Sequence, residues 1–184
     1  PNSQTPSSQA EVGTGRARVL PDSPSEPAQI SSPRVLLIVY NPTMDVTGKK
    51  KLVETMGWFR PDELVRAFIA DVLQASGGLV RYRITRRIEA DEFPALTDGF
   101  RYTPHSYLDV IRGRAAAHNP SGIDYSAVLA RFDLLPQVGR REFDEVWIMG
   151  FPYAGLYESV MAGPAAFWCN APPLKNTEMS KRRF

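Results

Sequence analysis

Cysteine is nearly absent from this chain. Cys169 stands alone among 184 residues, which excludes an internal disulfide and any disulfide scaffold. Histidine is almost as scarce, with only His105 and His118. There is no HExxH and no Cys/His cluster, so a zinc site made by this segment alone is not supported. No apolar run approaches the roughly 18 residues that cross a bilayer, and no membrane span is expected. Charge of one sign is missing too. A net charge of +2 is too small to imply nucleic acid. Basic residues cluster only locally, at 49–51, 81–87 and 181–183, and such runs are usually solvated faces.

Intact catalytic motifs are also lacking. TMDVTGKK, 43–50, has the outline of a phosphate loop after a strand. Thr43 replaces the glycine that lets backbone wrap phosphate, and Lys50 replaces the hydroxyl that holds magnesium. No nucleotide is expected, and the stretch reads as an exposed basic loop. GFPYAGLYES, 150–159, has the strand-turn-helix outline of a nucleophile elbow. Gly150 and Gly155 are too far apart, no Ser or Cys lies between them, and Ser159 comes too late.

What is present describes one α/β domain. The chain is long enough for a real core, and its 43% apolar and 23% charged content is ordinary for a globular protein. Residues 1–33 are rich in Ser, Pro, Gln and Glu. They cannot bury enough apolar surface to offset ordering entropy, so they read as a linker or tail with Val19, Leu20 and Ile30 as its anchors. RVLLIVYNP, 34–42, is a strand covered on both faces. Pro61 opens the clearest helix, with Asp62 and Glu63 at its positive end and Gly77-Gly78 after it. Leu64, Val65, Phe68, Ile69, Val72 and Leu73 form its apolar stripe. Alternation predicts a second strand over 79–85. Helices are expected from Thr103-Pro104 to about Ala117 and from Asp124 to Phe132, then a core strand over 143–149, a short helix over 155–162 and a fourth strand over 165–169. This order predicts a three-layer sandwich with a mainly parallel sheet over 34–184.

Ligands in open α/β sheets bind at the carboxyl ends of strands. Those ends place Tyr40, Asn41, Tyr153, Tyr157 and Asn170 as candidate ligand-binding residues. Glu158 is the candidate acid/base or metal-binding carboxylate, with Asp45 and His105 as partners if the loops converge. Two carboxylates flanking a bond are the minimum for glycoside hydrolysis. As a metal ligand, Glu158 would instead make a divalent metal a candidate cofactor. The bland readings are a helix-dipole role for Glu158, capping roles for His105 and His118, and an inert buried thiol for Cys169. Loop tyrosines suit sugar or peptide recognition, because the ring stacks and the hydroxyl bonds.

DEVWIMGFPYAGLYESVMAGPAAFWCNAPPL, with RVLLIVYNP upstream, resembles an uncharacterised family of bacterial proteins of extracellular type. The resemblance covers roughly 34–184. It implies an extracellular or secreted setting, relatives that continue past Phe184 with further acidic and histidine residues, and no particular activity. In fold alone, the element order is similar to flavodoxin-like and class I amidotransferase-like sandwiches. The cysteine elbow of the amidotransferases is not matched, so glutaminase chemistry does not transfer.

Two functional expectations result. One is a hydrolase-like domain acting on a polar extracellular polymer, carbohydrate before peptide. The other is a non-catalytic binding or structural module, or an assembly subunit whose segment 1–33 contacts a neighbouring chain. The start at Pro1 and the stop after KRRF lead us to expect that the natural protein is longer.

Overall fold

The computed structural model describes residues 28–45 and 50–184. Residues 1–27 of the tail expected over 1–33, with Val19 and Leu20, and the centre of the basic loop at 46–49 lie outside the described residues. The described part is mixed α/β, with a small three-stranded parallel sheet and five helices.

The sheet is ordered β2-β1-β3. Strand β1, Arg34–Tyr40, is central, and its apolar run is buried on both faces as expected. Strand β2 runs from Arg83 to Ala90 and β3 from Glu145 to Met149. Both pair with β1 in parallel. The strand expected over 79–85 thus lies further along the chain. Val80 makes only an isolated bridge with Ser31. A register shift opposite Val35/Leu36 then carries Arg86 and Arg87 into the ladder. These charged residues are tolerated because β2 is an edge with an exposed face.

Helix α2, Pro61–Ala75, is the expected helix. Its end is made by Gly78 N–H donating to Leu73 O at 2.8 Å and Gly77 N–H to Gln74 O at 3.0 Å. Val65 and Ile69 pack with Leu37, Val39, Trp147 and Met149 on one face of the sheet. Helices α3, Pro104–Ile111, and α4, Tyr125–Arg131, open where expected. Thr103 forms a capping box with Ser106, and Asp124 accepts from Ala127 N–H. Helix α3 stops before Ala117 because Gly113 turns the chain at a φ of 69°. Two short helices were not legible. Helix α1, Leu52–Met56, lies in a stretch that reads as polar. Helix α5, Leu134–Gly139, contains Pro136, which is tolerated in a first turn where its missing N–H has no intrahelical role. Residues of α1, α3, α4 and α5 share the larger core on the other face of the sheet.

The chain beyond β3 corrects two expectations. No helix spans 155–162 and no strand spans 165–169. Gly155, at a φ of 77°, is pressed against the 121–123 loop, and its carbonyl accepts from Ile123 N–H at 3.0 Å. That loop pairing takes the place of a helical bond. Ala165 and Asn170 sit at φ values of 56° and 59°, which breaks an extended run, and Cys169 only bridges Ala171. This segment ends against the domain, where Phe184 and Ala162 exchange both backbone hydrogen bonds at 3.0 Å.

Candidate functional site

The carboxyl end of β1 is occupied by structural work. Tyr40 is buried and meets Phe132 edge-on at 6.2 Å. Burial, then the Glu92 charge, pushes its phenol up to about 12. The Asn41 amide donates to Glu89 Oε1 at 3.2 Å, and its oxygen accepts from Val53 N–H at 3.1 Å. Asn41 therefore clamps β1 to β2 and α1. Asp45 accepts from Lys50 N–H at 3.3 Å. Nearby, Asp91 takes Thr43 N–H at 2.6 Å and pairs with Lys51 at 2.8 Å. The Lys51 and Thr43 bonds lower the Asp91 carboxyl.

His105 lies on the outer face of α3, its side chain 89% exposed, and faces Asp109 one turn on at 3.2 Å. His118 stacks on Phe100 at 3.8 Å and meets Asp98 at 2.7 Å. That contact lowers the Asp98 carboxyl. Each histidine is thus engaged by a nearby carboxylate.

Other candidates do come together. Glu158 Oε2 accepts from the Asn170 amide at 3.2 Å. Tyr157 stacks on Tyr125 at 6.2 Å with the rings 10° from parallel, and its N–H donates to the Tyr125 hydroxyl at 2.9 Å. The Ser159 hydroxyl donates to Cys169 O at 3.2 Å and lies 3.4 Å from the thiol. Tyr153 is 46% exposed and holds a φ of 66°. Glu158 thus meets Asn170, not the expected partners Asp45 and His105, and a loop rather than a helix and a strand end brings the two together. The contacts of Asp45 and His105 given above are with their own neighbours. Among the described residues, no group of three or more His, Cys, Asp or Glu is arranged to hold a metal ion.

Glu158, Tyr157 and Cys169 border a groove of about 630 Å³ that runs along β3. Its walls include Phe68, Leu129, Trp147, Ile148 and Leu156. Phe68 stays 53% exposed while meeting Trp147 edge-on at 5.3 Å. Carboxylates at the groove belong to Asp144, Glu145 and Glu158. Asp144 is committed: it accepts from Arg34 N–H and Nε at 3.0 Å each and from Arg182 at 2.9 Å. The Arg34 guanidinium first, then its backbone N–H and Arg182, hold the Asp144 carboxyl well below the usual range. Glu145 accepts the Trp147 indole N–H at 2.9 Å. A second recess of about 480 Å³, beside Gly77-Gly78 and Tyr82, has no carboxylate or histidine in its lining.

Tyr125, Trp147 and Phe68 were not singled out as site residues by the sequence. Phe68 and Trp147 read as core because their elements are amphipathic or apolar. Only the open side of β3 makes them groove walls. Compared with family models, curated proteins and solved structures, the chain finds no match in any of the three.

Proposed function

We propose that this chain is a binding domain that holds an extended ligand in the groove along β3. The observation that supports this reading is the makeup of the groove. Its walls carry apolar and aromatic side chains, and a stacked Tyr125–Tyr157 pair stands at its mouth. Such surfaces give a ligand large contact area with polar tips for orientation. We further read the parallel order β2-β1-β3 as the start of a flavodoxin-like arrangement, whose strands run 2-1-3-4-5.

Calorimetric titration with panels of extended peptides and soluble oligosaccharides tests the binding reading. Tyr157 is 54% exposed, so Tyr157→Ala leaves the fold intact. It should weaken a true ligand about tenfold, as loss of an aromatic contact of ~1–2 kcal/mol does. No ligand from either panel, or a ligand indifferent to Tyr157→Ala, would overturn it.

Hydrolysis of a polar extracellular polymer is the second reading. It is favoured by one feature, the Asn170 amide that orients Glu158 beside the groove. Glu158→Gln should then lower turnover about a hundredfold, the scale of a lost acid/base group. A wild-type chain without turnover on carbohydrate or peptide polymers sinks this reading and leaves the binding reading untouched.

A further inference from the structure

We infer that the ligand of this groove is an extended polypeptide strand from a partner protein, apolar on both faces, that pairs with the open edge of β3 as the fourth strand of the sheet. The inference rests on the binding reading above and names its ligand.

The backbone carries the argument. Alternate residues of a strand direct their N–H and C=O to opposite sides. On β1, the odd-numbered residues face β2: Pro33 O accepts from Arg83 N–H at 2.9 Å, Val35 O accepts from the Thr85 hydroxyl at 3.2 Å, and Asn41 N–H donates to Ala90 O at 3.0 Å. Leu36 and Ile38 therefore bond to β3. With Leu36 opposite Val146 and Ile38 opposite Ile148, a parallel ladder draws its β3 partners from the residues flanking these two, Glu145, Trp147 and Met149. Val146 and Ile148 are left with N–H and C=O directed away from β1. Among the described residues, neither main chain has another partner. Both residues line the groove.

A row of outward N–H and C=O groups on one strand is matched by another extended backbone. A sugar offers no such repeat. The side chains complete the specification. Leu129, Leu156 and Ile148 belong to the larger core on one face of the sheet, while Trp147 packs with the smaller core on the other. Phe68 extends that second wall. A strand between them meets apolar surface above and below, so it must be apolar at successive positions, like β1 itself, rather than at alternate ones. The five residues of β3 match a strand of ordinary length.

The probe is a heptapeptide, Lys-Val-Ile-Val-Ile-Val-Lys, N-methylated on alternate residues so that only one edge can pair. Its control is methylated on both edges. Amide hydrogen exchange of the full chain is followed with each. The Trp147 and Met149 amides, bonded to β1, serve as internal references. The expected result is that the one-edge peptide slows exchange at Val146 and Ile148 by about tenfold or more, and the control does not. Equal binding of the control would overturn strand pairing while leaving the groove as a binding site. Protection that grows with protein concentration without peptide, with a doubled mass in sedimentation, would make a second copy the occupant and overturn a partner strand. Failure of every peptide beside success of an oligosaccharide would overturn this inference alone. Failure of both would end the binding reading as well.

Discussion

At the residue scale, Tyr107 and Tyr40 show two consequences of burying a phenol. Tyr107 is fully buried among Phe93, Tyr102 and Phe151, yet its hydroxyl has no hydrogen-bond partner. An unmet buried hydroxyl costs about 1–3 kcal/mol, whereas the ring earns its place by packing. Tyr107→Phe should therefore match or exceed the wild type in urea unfolding, and Tyr107→Ala should lose about 3–5 kcal/mol. A Tyr107→Phe chain that is clearly less stable would mean that the hydroxyl is satisfied in solution. Burial raises the Tyr107 phenol, and it likewise holds off ionisation of Tyr40, up to about 12. Because its folded value is raised, its contribution is fully present below the unfolded value of roughly 10 and is lost as pH rises beyond it. Ultraviolet titration should show this tyrosine ionising well above the ordinary tyrosine value of about 10. Glycines make a third comparison. A Cβ on Gly155 would meet Ser121 O at 2.1 Å and Ile123 N at 2.6 Å, whereas one on Gly99 meets nothing within 4 Å. Both residues have positive φ. Gly99→Ala should cost the ~1–2 kcal/mol of left-handed backbone alone, and Gly155→Ala clearly more, as urea midpoints would report.

At the element scale, Asp144 is the tie that holds the start of β3. It joins Arg34 at the start of β1 to Arg182 in the last segment. Arg182 also donates to the carbonyls of Val138 and Phe143. Asp144→Ala removes the shared acceptor and should cost about 1–3 kcal/mol, since the pair is partly open to water. A loss below about 0.5 kcal/mol would place it with ordinary surface pairs. The elements themselves were unequally legible. Helix α2 announced itself through Pro61, its apolar stripe and the Gly77-Gly78 stop, all of which are local signals. Helices α3 and α4 did so through Thr103 and Asp124. Strand β2 was displaced because Arg86 and Arg87 look unlike strand residues until an edge position lets them face water. The 155–169 segment misled for the opposite reason. Its apolar residues suggested regular structure, but Gly155, Ala165 and Asn170 take backbone angles that regular structure does not use.

At the scale of the whole molecule, stability should depend on acid. Asp144, Asp91 and Asp98 are all held below their ordinary value by named partners: Arg34, Lys51 and His118 respectively. A lowered folded value means that the stabilisation is present above the unfolded carboxylate value near ~3.9 and is lost as pH falls below it. Urea midpoints should be level from about pH 7 to pH 5 and fall below about pH 4, with a shallower fall in Asp144→Ala. A midpoint that does not move in acid would show that these pairs do not form in solution. At the same scale, no helix among the described residues is long and apolar enough to cross a membrane, in keeping with the absence of long apolar runs.

The sequence alone determined the α/β character, the buried central strand, and the starts of helices α2, α3 and α4. These depend on periodicity and on residues a few positions apart, which local physical chemistry reads directly. Tertiary structure alone decided the rest. It spent Tyr40 and Asn41 on the core and the strand clamp, gave Asp45 and His105 local partners, and set Tyr125 beside Tyr157. It also left the outward N–H and C=O of Val146 and Ile148 facing a groove. Each of these outcomes depends on which distant segments pack together, and hydrophobic pattern along the chain carries no information about which edge of a sheet stays open.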